Sequence, residues 1–321
     1  MTEITLPRHQ IAHLPTPIQP MPRLTGELGG PRLWIKRDDL TGLAFGGNKT
    51  RKLEFLLAEA QAQGAKTLIT RGAVQSNHCR QTAAAAAQAG FTCILVLTGR
   101  EPDVTNGNLL LDRLLGVEFV WTEDEDPDTV LKETFDQAWS DGRRPYLIPY
   151  GGSNALGAAS YTAAIEELLS QGIEIDRIVF ATSSGGTQAG LMVGARIFNY
   201  SGKVTGISVD PTAETLKPHV AALANEVGSL LQHPVDFGSQ DVEVHDAYLG
   251  GGYSVMGDLE KGAIDLFARM EGIMLDPVYT GRAAGGMIDL IRKGEIGADE
   301  RVLFWHTGGT PALFAYAHKL S

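Results

Sequence analysis

The groups that could do chemistry gather in a few short runs, and Gly46-Gly47-Asn48-Lys49-Thr50-Arg51-Lys52-Leu53-Glu54 is the most pointed of them. Two adjacent glycines let a ligand approach the backbone without meeting a side chain. Asn48 is a good N-cap, and the spacing predicts a helix over 49–63, with Leu53, Leu56, Leu57 and Ala60 on its core face. Lys49 then falls in the first helical turn, where the macrodipole repels a cation. Positive potential and burial both lower an amine's pKa and make it a better nucleophile. The plainer alternative, a solvated surface lysine, is weakened by the Gly-Gly-Asn setting but not removed by it.

Ser183-Ser184-Gly185-Gly186-Thr187 is a candidate phosphate site, because glycines expose backbone N–H groups and Thr187 opens a helix whose positive end suits an anion. It matches neither the dinucleotide fingerprint nor the P-loop. A bare strand-to-helix turn is the alternative. Ser76-Asn77 stands at another helix start, where Ser76 can serve as a cap and still meet a ligand. His78 and His306 are expected to be structural histidines. No His-Glu-x-x-His occurs, and no metal site is expected. Tyr253 follows three glycines and Tyr279 lies in Asp276-Pro277-Val278-Tyr279-Thr280-Gly281, so both are expected in turns that aim them.

The elements that must position these groups alternate. Strands are predicted at 32–37, 67–70, 93–97, 117–120, 145–148, 177–181, 204–209 and 301–305. Helices are predicted at 77–88, 108–115, 128–139, 158–171, 187–199, 213–231, 259–270, 281–292 and 311–318. Such alternation implies open, mainly parallel sheets flanked by helices, an α/β fold, with ligand at the carboxyl ends of the strands. Residues 1–30 are proline-rich, and Leu14-Pro15-Thr16-Pro17 reads as extended.

A chain of 321 residues suits one large or two moderate domains. Its net charge of -11 argues against nucleic-acid binding, which needs a positive face. The 38 glycines suggest many tight, ligand-facing turns. Two cysteines with no metal-like spacing suit a reducing cytoplasm. No stretch has the apolar length of a membrane span or the core of a signal peptide.

Taken together, Gly-Gly-Asn-Lys-Thr-Arg-Lys-Leu-Glu at 46–54, Gln-Ser-Asn-His-Cys-Arg-Gln-Thr at 75–82, Gly-Gly-Ser-Asn-Ala-Leu-Gly at 151–157, Ser-Ser-Gly-Gly-Thr-Gln-Ala-Gly-Leu at 183–191, Leu-Asp-Pro-Val-Tyr-Thr-Gly at 275–281 and His-Thr-Gly-Gly-Thr-Pro-Ala-Leu-Phe at 306–314 resemble the 1-aminocyclopropane-1-carboxylate deaminase/D-cysteine desulfhydrase family of pyridoxal-phosphate enzymes. The motifs run in the family's order across nearly the whole chain.

The resemblance implies the tryptophan synthase β-like fold, pyridoxal-phosphate fold type II. Residues 1–48 and 151–321 would form a large cofactor-binding domain, and 49–150 a small one. It implies a homodimer, pyridoxal 5'-phosphate held as a Schiff base by Lys49 beside Asn48, and Asn77 on the ring hydroxyl. Ser184, Gly185, Gly186 and Thr187 would hold the phosphate, and Thr307 would face the pyridine nitrogen. Ser76, Asn77, His78, Tyr253 and Tyr279 would surround a small amino-acid substrate, with Ser76, Tyr253 and Tyr279 joining Lys49 in catalysis. Ser-Asn-His at 76–78, Val-Tyr-Thr at 278–280 and His306-Thr307-Gly308-Gly309 resemble the D-cysteine desulfhydrase branch. That branch implies α,β-elimination to pyruvate, hydrogen sulfide and ammonia, with the freed Lys49 amine or a tyrosine taking the Cα proton. L-cysteate sulfo-lyase and cyclopropane ring opening are the alternatives within the class; an idle phosphometabolite-binding protein is the alternative outside it. The chain departs from its relatives at Gly252-Tyr253-Ser254-Val255-Met256, where they read closer to Gly-Tyr-Gly-Val-Pro, and at Arg282, where lysine is usual.

Overall fold

The short aliphatic runs sort into two separate sheets. The structure, a computed structural model, describes residues 5–320. In chain order the elements are β1 (Ile18–Pro20), α1 (Pro22–Leu28), β2 (Arg32–Arg37), α2 (Asn48–Ala62), β3 (Thr67–Gly72), α3 (Asn77–Ala89), β4 (Thr92–Leu97), α4 (Gly107–Leu114), β5 (Glu118–Trp121), α5 (Pro127–Ser140) and β6 (Pro145–Leu147). They continue with α6 (Ala155–Ser170), β7 (Arg177–Thr182), α7 (Gly186–Ile197), β8 (Lys203–Ser208), α8 (Ala213–Leu230), β9 (Glu243–His245), α9 (Asp258–Glu271), α10 (Thr280–Arg292), β10 (Arg301–His306), α11 (Thr310–Ala315) and α12 (Ala317–Leu320).

One sheet has the order β5-β4-β3-β6, with every pairing parallel. The other has the order β1-β2-β10-β7-β8-β9 and is parallel except for β1, which runs antiparallel along the edge of β2. Strands buried on both faces should read as unbroken apolar runs, and β7 and β10 do. Val302 and Phe304 join Val179 and the α9–α10 side chains Phe267 and Met287 in one core. Their neighbours Leu303 and Trp305 join Ile178, Phe180 and the α6 residues Tyr161 and Ile165 in another. Burying one such large side chain contributes about 1.5–3 kcal/mol. In the smaller sheet, the alanine-rich face of α3 packs with Leu68 and Leu95. Ala138 of α5 covers Ile69 and Ile94 on the opposite face.

Several expectations shift. The helix expected from residue 158 begins at Ala155, because the Asn154 side chain accepts from the Gly157 N–H at 2.9 Å. The last helix breaks near Tyr316 into α11 and α12. β1, α1 and β9 lie where no element was expected.

α2 is tied to the larger sheet by buried charge. Arg51 reaches Asp38 with Nε at 2.9 Å and Nη2 at 2.8 Å, and Glu167 of α6 with Nη1 at 2.8 Å. Burial pushes the Asp38 carboxyl up, but the Arg51 guanidinium and the Tyr161 hydroxyl outweigh it and hold the group below its ordinary value. No helix among the described residues is long and apolar enough to cross a membrane.

Candidate functional site

The loops leaving β3, β7 and β10 converge with the start of α2 on one cleft that opens to solvent. Lys49, Asn48, Ser76, Asn77, His78, Ser184, Gly185, Thr187, Tyr279 and Thr307 all line it. Tyr253 joins through its hydroxyl, 2.7 Å from that of Tyr279. Gly186 lies behind the β7 loop; a Cβ there would sit 2.5 Å from Ser153 Oγ and 3.0 Å from Lys52 Nζ. Every site residue expected from the sequence is therefore in or against one cleft.

The start of α2 corrects the capping expectation. Gly47, not Asn48, is the N-cap, with φ 128°, and a Cβ on it would meet Gln81 Nε2 at 2.6 Å. Gln81 of α3 supplies the missing acceptor, its Oε1 taking the Thr50 N–H at 2.9 Å. Asn48 is thus relieved of capping. Its Nδ2 donates to Thr187 Oγ1 at 3.1 Å, and its Oδ1 accepts from Lys49 Nζ at 3.0 Å. Burial pulls the Lys49 ammonium down to about 8; Asp276 opposes the shift and Arg80 adds to it. The same nitrogen stands 5.8 Å from the centroid of the Tyr279 ring.

Ser76 caps α3 as expected, its Oγ accepting from the Cys79 N–H at 3.2 Å. Asn77 is oriented by a chain of obligatory donors. Arg80 can only donate, and its Nη1 meets Asn108 Oδ1 at 3.0 Å. The Gln75 carbonyl can only accept, and it takes Asn108 Nδ2 at 2.8 Å. With both ends of its amide so assigned, Asn108 donates to Asn77 Oδ1 at 2.8 Å, leaving the Asn77 N–H groups for the cleft.

A similar constraint fixes His78. Thr70 Oγ1 gives its only proton to the Ile148 carbonyl at 2.9 Å, so His78 Nε2, 2.8 Å away, must carry the ring proton. Nδ1 is then an acceptor, buried and without a protein partner. Burial, with Lys49 and Lys52 nearby, keeps this imidazole neutral. His306 is structural: Nε2 lies 3.0 Å from the Met274 carbonyl, and Nδ1 accepts from Gly308 N–H at 3.1 Å.

Tyr279 is the N-cap residue of α10. Its turn is held by Asp276, whose carboxylate accepts the N–H groups of Val278, Tyr279 and Thr280 at 3.0, 2.9 and 2.8 Å. Burial raises both the Tyr253 and Tyr279 phenols, so both stay protonated at neutral pH.

Sequence reasoning missed Lys52. Its ammonium is buried, meeting among the described residues the Gly151 carbonyl at 3.1 Å and Ser153 Oγ at 3.0 Å and no carboxylate. Burial, with Lys49 beside it, lowers its pKa well below the ordinary lysine value. Such a cation behind the Ser184–Thr187 loop calls for an anion. The available signal was its position three residues after Lys49, on the adjacent turn of one helix face.

These features define an α/β enzyme built around a lowered lysine amine and an anion cradle at a helix start. The chain belongs to the family of pyridoxal-phosphate dependent enzymes, whose sequence pattern matches residues 10–308. It is 43% identical over 319 residues to a D-cysteine desulfhydrase of Salmonella typhi, spanning 97% of this chain and 96% of that protein. A crystal structure of an ACC deaminase homologue superposes with a TM-score of 0.91 at 41% identity, covering 98% of this chain and 96% of that one. Threonine deaminase isoform 2 from Solanum lycopersicum shares the fold, with a TM-score of 0.68 at 16% identity over 95% of this chain and 82% of that one.

The residues present fit pyridoxal phosphate. An amine suited to its aldehyde, Lys49, lines the same cleft as the loop before α7. Behind that loop an unpaired buried cation, Lys52, faces a glycine where a Cβ would not fit.

Proposed function

We propose that the chain is a carbon–sulfur lyase that converts D-cysteine and water to pyruvate, hydrogen sulfide and ammonia. The observation that carries the substrate is the end-to-end likeness to a D-cysteine desulfhydrase. Of the two residues that set this branch apart in the sequence, His78 lines the cleft, and Thr280 is buried at the start of α10 with its hydroxyl donating to Asp276 Oδ1 at 2.8 Å.

Lys49 would hold the cofactor, with Asn77 donating to its ring hydroxyl, Thr307 facing its pyridine nitrogen, and Ser184 to Thr187 with Lys52 receiving its phosphate. Bound there, the cofactor supplies an electron sink for the pair left on Cα when its proton is removed. Lys49, lowered to about 8, is suited to take that proton and return it near neutral pH. The Tyr253 and Tyr279 phenols stay protonated and can donate toward the departing sulfur. Ser76, at the head of α3, orients the substrate beside the reacting carbon. His78 Nδ1 on that wall has no hydrogen-bond partner among the described residues. Thr307 is neutral, so the ring receives less help than a carboxylate partner would give, which suits a good leaving group such as hydrosulfide.

We further propose that 49–150 and the flanking 1–48 with 151–321 are the two lobes around the cleft, and that the enzyme works as a cytoplasmic homodimer. Cyclopropane ring opening is the second reading, favoured by the likeness to an ACC deaminase homologue.

A panel of D-cysteine, L-cysteate and 1-aminocyclopropane-1-carboxylate, compared by kcat/KM with oxo-acid and sulfide readouts, tests the choice. D-cysteine should exceed the other two by orders of magnitude. A preference for the cyclopropane substrate would overturn the proposal in favour of ring opening, and one for L-cysteate would replace the leaving group with sulfite.

A further inference from the structure

Tyr253 sits in a turn that combines its own backbone hydrogen bonds, Gly252 N–H to the Leu249 carbonyl at 3.0 Å and Val255 N–H to the Gly252 carbonyl at 3.4 Å, with ties from outside. Gly250 and Gly252 have φ of 58° and 101°, and Ser254 adopts φ 60°, a left-handed conformation that is strained for a non-glycine residue. Such a turn persists only when its surroundings impose it.

The largest of those surroundings is one side chain. Arg282 of α10 is buried, and its guanidinium is shared among three segments. Nε donates to Glu260 Oε1 of α9 at 2.6 Å. Nη1 donates to the Val209 carbonyl just past β8 at 2.8 Å and to the Gly252 carbonyl at 3.1 Å. Nη2 donates to the Val255 carbonyl at 2.8 Å. The two loop carbonyls it holds flank Tyr253 and Ser254. Arg282 also lies three residues after Tyr279, on the helix that Tyr279 caps. One helix therefore places both phenols, Tyr279 at its own N-terminus and Tyr253 through the guanidinium, and the 2.7 Å contact between the hydroxyls depends on both.

We infer that Arg282 is a positioning residue for Tyr253, setting that phenol against Tyr279 in the cleft. This rests on the reading that Tyr253 serves the reaction. A lysine at 282 is a point donor that cannot span Glu260 and both loop carbonyls with fixed geometry. The 252–255 turn and Arg282 are thus one mechanical unit.

The test is a double-mutant cycle on the cofactor-loaded enzyme, with Arg282→Lys and Tyr253→Phe singly and combined. The readouts are kcat/KM for D-cysteine, the cofactor's visible absorption, and its dissociation constant. Arg282→Lys is expected to lower kcat/KM roughly tenfold with absorption and cofactor affinity unchanged, and to cause no further loss once Tyr253 is Phe. An Arg282→Lys loss that persists undiminished in the Tyr253→Phe background, or no loss at all, overturns the inference and leaves the Tyr253 reading standing. A Tyr253→Phe enzyme with full activity overturns both. If Arg282→Lys does not fold, the paired change Arg282→Met with Glu260→Met removes the tie without stranding a buried charge, and the same cycle decides.

Discussion

Lys49 and Lys52 lie three residues apart on one helix, and burial lowers both amines, yet their surroundings assign them different work. Lys49 lines the cleft beside Asn48 Oδ1, whereas Lys52 is enclosed by Gly151 and Ser153. An amine attacks an aldehyde only when unprotonated, and Lys49 titrates at about 8. The rate at which cofactor-free protein takes up pyridoxal phosphate should therefore climb with pH and level off above about 8. Stopped-flow absorbance across pH 6–10, a range of about two units on each side, checks this. A rise that continues toward the ordinary lysine value would show that Lys49 is not lowered. Lys52 is a buried amine whose charged form has no anion beside it, so Lys52→Met should make the cofactor-free protein melt higher. It should also weaken cofactor binding by about 1.5–3 kcal/mol, roughly 10- to 150-fold. Equilibrium titration and thermal melts of the same samples measure both effects, and unchanged cofactor affinity would remove Lys52 from the phosphate site. Lys49 was legible because Gly-Gly-Asn before a helix is an odd local setting. Lys52 was not, because its burial comes from a turn about a hundred positions away that no local pattern announces.

At the scale of elements, the periodic helices and the unbroken apolar strands were legible, since their signals are local and repeat. β1 and β9 are three-residue strands at the two edges of one sheet, and α1 opens on a proline within a proline-rich stretch of weak periodicity. Those elements exist because β2 and β8 offer edges to pair with, and α9 a face to pack on. The cap of α2 was misread for a similar reason: its acceptor is Gln81, supplied by another helix. Behind that junction the α4 residue Asp112 is buried with neither carboxylate oxygen hydrogen-bonded. Burial pushes it up to about 8 against the pull of Arg80, from an ordinary value of 3.8. Between those two values the folded chain holds a proton that the unfolded chain has released, so stability falls as pH rises through that window. Asn at 112 has no proton to lose. Asp112→Asn should therefore melt higher than the parent at pH 8 by clearly more than at pH 5, as read by calorimetry. A pH-independent difference would show that Asp112 is not held protonated.

At the scale of the whole molecule, two parallel sheets bring loops from residues 46–49, 76–78, 183–187, 279 and 307 into one cleft. Strand alternation and the rule that ligands gather at carboxyl strand ends were enough to anticipate that the loops after β3, β7 and β10 would meet. They could not show how the far-apart helices α2, α3 and α10 would lock one another's side chains, because those contacts belong to the assembled fold. All of that architecture surrounds Lys49, the amine we propose holds the cofactor. Borohydride reduction of the loaded enzyme, followed by peptide mapping, reads this out directly. A pyridoxyl label on Lys49 alone is the predicted result; a label on Lys52, the neighbouring lowered amine, or on the buried Lys36 would contradict it.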